Sequence, residues 1–257
     1  MRKIFLLLMI IFMVSGCGND NNAEPRIGAI TQLNATPGQG INFFDNFNSM
    51  QMALASKNID GIQIYGSVAR YMSANNSDFE IKESQTVRLV DDFCCAMRED
   101  DTDLKNAFDA AIDSMKADGT LDALIDKYIT DFATEPQTID MPDIDGAEKI
   151  KVGVTGDLPP LDLVLADGTP AGFNTAVLAE ISKRIGKNIE LVQIDSGARA
   201  AALTSELVDV VFWVVVPADD SNRPKNLDTP EGISVTTPYY QDVVVNVNLS
   251  TLAAGMN

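Results

Sequence analysis

Apolar and polar positions along residues 149–216 change their spacing several times, and each change marks a new element. Ile150, Val152 and Val154 alternate with polar or small neighbours, as along a strand. The next stretch, Gly156-Asp157-Leu158-Pro159-Pro160, reads as a loop, because two prolines remove two ladder donors. Ala166-Asp167-Gly168 marks a tight turn before the chain returns at Gly172-Phe173. Asn174 is then placed as a helix N-cap, with Phe173 and Leu178 as a hydrophobic staple around it. Val177, Leu178, Ile181 and Ile185 share one helical face, which Gly186 ends. Two strand-like runs follow, 189–194 and 208–216, with an Ala-rich helix over 198–205 between them. The second run is almost continuously apolar, which suits a strand buried on both faces of a parallel sheet.

The rest of the chain shows the same alternation of periods. Residues 86–132 predict a strand and then a helix whose inner face is Leu104, Phe108, Ala111 and Met115. Gly119 ends that helix, and Thr120 caps a second one with Leu121, Leu124, Ile125, Tyr128 and Ile129 as its buried stripe. Nearer the start, a strand over 27–31 precedes a helix over 43–57 with Phe43, Phe47, Met50 and Leu54 inward, and a strand over 59–65 follows. Glu135–Glu148 has two prolines, a glycine, five acidic residues and little apolar periodicity, so it reads as a linker.

Four motifs in order, V-G-V-T-G-D-x-P-P-L at 152–161, D-G-x-x-A-G-F-N at 167–174, A-L-x-S-x-x-V-D-V-V at 202–211 and T-P-Y-Y at 237–240, carry a resemblance. They resemble the opening lobe of extracellular solute-binding proteins of the amino-acid-binding type, family 3, the receptors of ABC importers. The fold this implies is an α/β, two-lobe, periplasmic-binding-protein-like (type 2) fold. Residues 86–132, with their Ala117-Asp118-Gly119-Thr120 turn and a short helix ending in Lys127-Tyr128, resemble the closing segment of the same family. Residues 26–81 resemble its middle lobe, and Ala53-Leu54 through Ile62 repeats the pattern from Leu203 to Asp209. The family's order is therefore permuted: lobe two at 26–85, the closing segment of lobe one at 86–134, a linker at 135–148, and the opening segment of lobe one at 149–257. A fusion of two neighbouring genes is the alternative. Permutation is favoured because each piece occurs once, and such a rearrangement costs little where termini lie close together on a surface.

The resemblance also implies a site. In such receptors the solute lies in the cleft, against loops at the carboxyl ends of the strands. The matching positions are Asp157 and Leu158, Trp213, and Arg223 as a bidentate carboxylate clamp from one lobe, with Thr31, Gln32 and Tyr65 from the other. Three departures stand out: Leu158 where the family places an aromatic ring, Gln32 in place of a Gly-Thr loop, and Tyr65 where an acidic anchor for an α-amino group belongs. Trp213 and Tyr65 facing each other would suit an aromatic, heterocyclic or cationic ligand. Against these readings stand core packing for the two aromatics, and an ion pair of Arg223 with Asp219 or Asp220.

The N-terminus changes the picture of where the protein resides. Arg2 and Lys3, an apolar stretch over 4–14, and Val14-Ser15-Gly16-Cys17 form a lipoprotein signal peptide (1–16) with Cys17 as the lipidated residue. The apolar stretch is too short to span a bilayer comfortably. Residues 17–25 are then a tether, and the expected location is the outer face of the cytoplasmic membrane or the periplasm, held by the lipid anchor. Removing 1–16 takes away two positive charges and no negative ones, so the net charge moves from −18 to −20. Such acidity argues against nucleic acid or anionic headgroups as partners. With no histidine in the chain, Ser-His-Asp and Cys-His catalysis is excluded, and a metal site is not expected. No cofactor is expected. Cys94 and Cys95, adjacent in a strand, should point to opposite faces as buried small residues; a vicinal disulfide is the strained alternative. The leading expectation is a lipid-anchored binding component of an ABC importer, not an enzyme, taking an amino acid or similar small polar solute. Its permease and ATPase partners are implied by the resemblance alone. The alternatives are a sensor or interaction lipoprotein with a degenerate site, and a dehydratase-like enzyme on the same scaffold.

Overall fold

The computed structural model describes residues 25–32, 40–82, 88–132, 134–219 and 223–250. Residues 1–24, on which the expected signal peptide and lipidated Cys17 fall, lie outside them, as does Asp220. In chain order the elements are β1 (Ile27–Ile30), β2 (Ile41–Phe44), α1 (Phe47–Ala55), β3 (Gly61–Tyr65), α2 (Gly66–Asn75) and β4 (Phe79–Lys82). Next come β5 (Leu89–Arg98), α3 (Thr102–Ala117) and α4 (Thr120–Ile125), which runs on into one wider helical turn, Asp126–Thr130. The remainder is β6 (Lys149–Val154), β7 (Asp157–Leu158), β8 (Asp162–Val164), β9 (Pro170–Ala171), α5 (Phe173–Ile185), β10 (Asn188–Gln193), α6 (Arg199–Thr204), β11 (Val210–Pro217), β12 (Ile233–Val235) and β13 (Tyr240–Leu249).

Eight of these strands form one path, β10-β6-β11-β5-β13-β3-β1-β2. The outer three on each side, β10-β6-β11 and β3-β1-β2, are parallel among themselves. β5 and β13 lie between them, antiparallel to each other and to both flanks. The two lobes are thus joined at a central antiparallel pair. β13 spans both: Tyr240–Val244 pair with β5, and Val244–Leu249 pair with β3 and β4. This is the two-lobe α/β architecture expected from the sequence.

Several local expectations are corrected. The helix expected from 43 starts at Phe47, because Asn46 accepts a hydrogen bond from Ser49 N and caps it there, while Phe43 belongs to β2. Asn174 does not cap α5: Gly172, at φ 91°, takes that position, and Asn174 is buried with its Oδ1 accepting from the Tyr239 hydroxyl. A Cβ on Gly172 would sit 2.8 Å from the Pro160 carbonyl oxygen, so no other residue fits that approach without a shift. Thr120 is the first residue of α4 and not its cap; Gly119 in the left-handed region holds that place. Asp157-Leu158 pairs as a short strand with β8.

β11 is buried on both faces, as its apolar run suggested. Its neighbour β5 carries Cys95 in the main core and Cys94 in a smaller core under α6, on opposite faces and both as free thiols. Burial pushes the Cys94 thiol up to about 12, so neither nucleophilic nor metal chemistry is favoured there. Phe93, fully buried on β5, touches the rings of Tyr65, Trp213, Tyr239 and Tyr240 with centroids 4.7–6.4 Å away. We expect Phe93→Ala to lower the unfolding free energy by ~3–5 kcal/mol, read as a drop in the urea midpoint.

Candidate functional site

A cavity of about 300 Å³ lies between the lobes, over the junction of β5, β13 and β3. Its floor is Leu89, Val244 and Tyr65, its lobe-two wall is Ala29–Gln32, Ile41, Phe43 and Gln63, and its lobe-one wall is Asp91, Arg199, Trp213, Val215, Arg223, Leu227 and Asp228. Thr31, Gln32, Tyr65, Trp213 and Arg223, the positions named from the resemblance, all line this cavity. Asp157 and Leu158 do not line this cavity. Leu158 is buried in the main core. Asp157 lies apart, where it accepts a hydrogen bond from Phe47 N at the start of α1 at 2.7 Å.

Trp213 reaches the cavity because of a local irregularity. In the β11–β5 ladder Phe212 pairs with Cys95 and Val214 with Cys94, so Trp213 is the extra residue of a bulge. A bulge re-aims a side chain, and here it puts Phe212 and Trp213 in the same core, although they are consecutive. Trp213 is both core and wall: only 2 % exposed, it lines the cavity and meets the Tyr65 ring edge-on at 6.0 Å. Its face covers the Arg199 guanidinium at 4.8 Å.

Arg199 is 1 % exposed, and all five of its N–H groups have acceptors. Nε donates to Ser196 O, Nη1 to Trp213 O and Asp228 Oδ2, and Nη2 to Thr31 O and Asp228 Oδ1, at 2.7–3.1 Å. Asp228 also accepts from Val215 N. Arg223 is held as well: Nη1 lies 2.8 Å from Asp91 Oδ1, and Nη2 bonds Asp219 and the Val90 carbonyl. The expected pairing with Asp219 is present, and Asp91 is a second partner that the sequence did not suggest. Asp91 is 2 % exposed; burial pushes its carboxyl up, while the Arg223 guanidinium pulls it back down. Burial, followed by Asp91 and Asp228, raises the Tyr65 hydroxyl well above its ordinary value.

The lobes touch directly along one rim. Ser196 N donates to Asp45 O at 2.9 Å, and Ser196 Oγ and Arg199 Nη2 both reach Thr31 O at 3.1 Å. Gly197 allows this approach, since a Cβ there would stand 2.6 Å from Asp45 Oδ1.

Sequence reasoning missed Asp91, Arg199, Asp228 and Gln63. Asp91 did leave a signal: it is in phase with Phe93, Cys95 and Met97, the inward face of β5. Arg199 is the one charge in an Ala-rich turn, and Asp228 sits in a loop with no pattern.

The sequence model of the bacterial extracellular solute-binding proteins, family 3, matches residues 29–131 and 150–247. The chain belongs to that family. Its members are binding proteins and not enzymes. Solved structures similar to this solute-binding protein include the zinc-bound ligand-binding component of an ABC-type import system from Staphylococcus aureus, at 10 % identity over 89 % of this chain and 67 % of that one (TM-score 0.43). Others are Tv2483 bound to L-arginine, at 10 % identity over 89 % and 79 % (0.42), and the GluR0 ligand-binding core with L-glutamate, at 9 % over 91 % and 89 % (0.40). No curated protein matches the chain in sequence.

Asp157 gives the solute-binding protein a pH dependence of known sign. Burial pushes its carboxyl up to about 6, outweighing the amides of Phe47 and Asn48. A carboxyl whose folded pKa lies above its unfolded value binds its proton more tightly in the native state, so stability falls as pH rises from near 3.8 to about 6. Asp157→Asn keeps an acceptor for Phe47 N; thermal melts across that window should lose this component of the slope and show no loss of stability at neutral pH.

Proposed function

We propose that this chain is the lipid-anchored binding component of an ABC importer, and that its solute lies in the interlobe cavity against Thr31, Gln32, Tyr65, Trp213 and Arg223. The observation that carries this is the convergence of those five residues, from four separate strands and loops, on one cavity at the lobe junction. An amino acid or a similar small polar solute fits its size. The permease and ATPase are the partners that such a receptor serves. Cys17 at the end of its lipobox supplies the anchor. A sensor or interaction lipoprotein is the second reading, favoured by the fact that both cavity arginines are engaged by the protein's own carboxylates.

The permuted chain order belongs to the same proposal. The family match comes in two blocks separated by residues 132–149, the linker region. That region follows lobe one, through a bridge between Thr138 and Ala171 and the bonds of Ile144 with Asn188, and delivers the chain to β6. At the other end of the molecule, Arg26 N bonds the Asp60 carboxylate and Asn248 Nδ2 bonds the Asp60 carbonyl, so the two ends of the described chain lie side by side. Joining them would restore the uninterrupted family order.

A thermal-shift screen of amino acids, polyamines and nucleosides tests the transport reading. A solute at a hundred times its Kd adds ~2.7 kcal/mol, which for a chain of this size raises Tm by roughly 5–10 °C; silence across the screen supports the second reading. For the anchor, the protein should take up a radiolabelled fatty acid in the cell that makes it, and Cys17→Ser should abolish that uptake. Equal labelling of the variant would refute lipidation at Cys17.

A further inference from the structure

We infer that the cavity selects a primary amine with an apolar, preferably ring-bearing body and no free carboxylate. The inference rests on the cavity being the solute site, and within that reading it sets free amino acids below amines that lack the carboxylate.

A ligand carboxylate needs an available cation, and the two arginines here are committed. Every N–H of Arg199 already has an acceptor. Arg223 is bound by Asp91, Asp219 and the Val90 carbonyl. An incoming carboxylate would have to displace Asp91 from Nη1, and Asp91 is tethered to the wall, so it competes at the high effective concentration of an intramolecular group. Asp91 thus occupies the place on Arg223 that a ligand's carboxylate would take.

An ammonium group meets the opposite situation. Against Arg199 and Arg223 stand Asp91, Asp228 and Asp219, and Asp242 lies directly across the β5–β13 ladder from Asp91. Among the lining residues Asp91 and Asp228 balance Arg199 and Arg223; with Asp219 and Asp242 just behind them, and Lys225 beside Asp219, the cavity and its immediate surroundings carry an excess of one negative charge when all are ionised. Asp91 Oδ1 is buried, and its ion pair with Arg223 Nη1 at 2.8 Å engages one of the two lone pairs that a carboxylate oxygen carries. The other has capacity for a second donor. Trp213, Tyr65 and Phe43 give the lining an aromatic, apolar character suited to the body of the molecule, and Gln32 and Gln63 are neutral.

The chain contains a single tryptophan, Trp213 in the cavity wall, so its fluorescence reports binding at this site and no other. The test is a titration of the purified protein with phenethylamine, phenylalanine and hydrocinnamate, three molecules that share a ring and differ in their charged groups. Phenethylamine should give a saturable change, phenylalanine should bind roughly tenfold or more weaker, and hydrocinnamate should give no saturable change. In Asp91→Asn, phenethylamine should lose roughly thirtyfold or more, while phenylalanine and hydrocinnamate gain affinity because Arg223 Nη1 is released. Phenylalanine binding as tightly as phenethylamine in the unmodified protein overturns the inference, whether or not the variant folds. Unchanged preference in a folded Asp91→Asn variant overturns it too, as does silence to phenethylamine. In any of these cases, a Tm rise with another solute leaves the solute-site reading standing. A silent thermal-shift screen removes that reading as well.

Discussion

The buried guanidinium of Arg199 is the constraint on which the site depends. A charge with 1 % exposure is tolerable only if every donor is satisfied and a counter-charge is at hand. Asp228 supplies two acceptors, and the carbonyls of Ser196, Trp213 and Thr31 supply the rest. Meeting that demand fixes four pieces of chain relative to one another: the start of α6, the bulge of β11, the loop that carries Asp228, and the end of β1 in the other lobe. The stack of Trp213 on the guanidinium follows from the same placement. So the aromatic wall, the rim contact and the ion pair come from one desolvated cation. Removing either partner would leave the other buried and uncompensated, the costly way to break such a pair.

Much of the fold was legible because period and punctuation agreed. Ile150, Val152 and Val154 are buried along β6, and Gly186 ends α5 in the left-handed conformation. Cys94 and Cys95 fell on opposite faces, as strand geometry requires. The errors came where two signals competed for one residue. Asn174 has the chemistry of an N-cap, but the close approach of Gly172 to Pro160 starts the helix earlier and turns Asn174 into the core. Phe43 has the spacing of a helix face, yet Asn46 caps α1 after it and leaves Phe43 to a parallel strand.

The cavity was legible in outline and not in its charges. Motif positions brought Thr31, Gln32, Tyr65, Trp213 and Arg223 to one place. They could not show that β11 bulges at Trp213, since a continuous run of Val, Phe and Trp carries no alternation in which an irregularity would register. Nor could they show the partners of the arginines. Asp91 and Asp228 come from segments more than 130 residues apart, and only the sheet order brings β5 beside β11. Asp157 was expected in the cleft because its loop is there in the family; it lies outside the cavity of about 300 Å³, in a separate recess between the lobes beside Asn48 and Gln193, with its carboxylate facing the amide end of α1.

The central ladder has a mechanical consequence. Val244 pairs with Leu89 on one side and with Tyr65 on the other, and all three form the cavity floor. The fulcrum about which one lobe could turn against the other is thus the surface on which a solute would rest. Ser196, Gly197 and Asp45 close the rim beside that floor. A rotation of one lobe against the other would therefore bend the floor and part the rim in one movement, with no relay of intermediate residues between them.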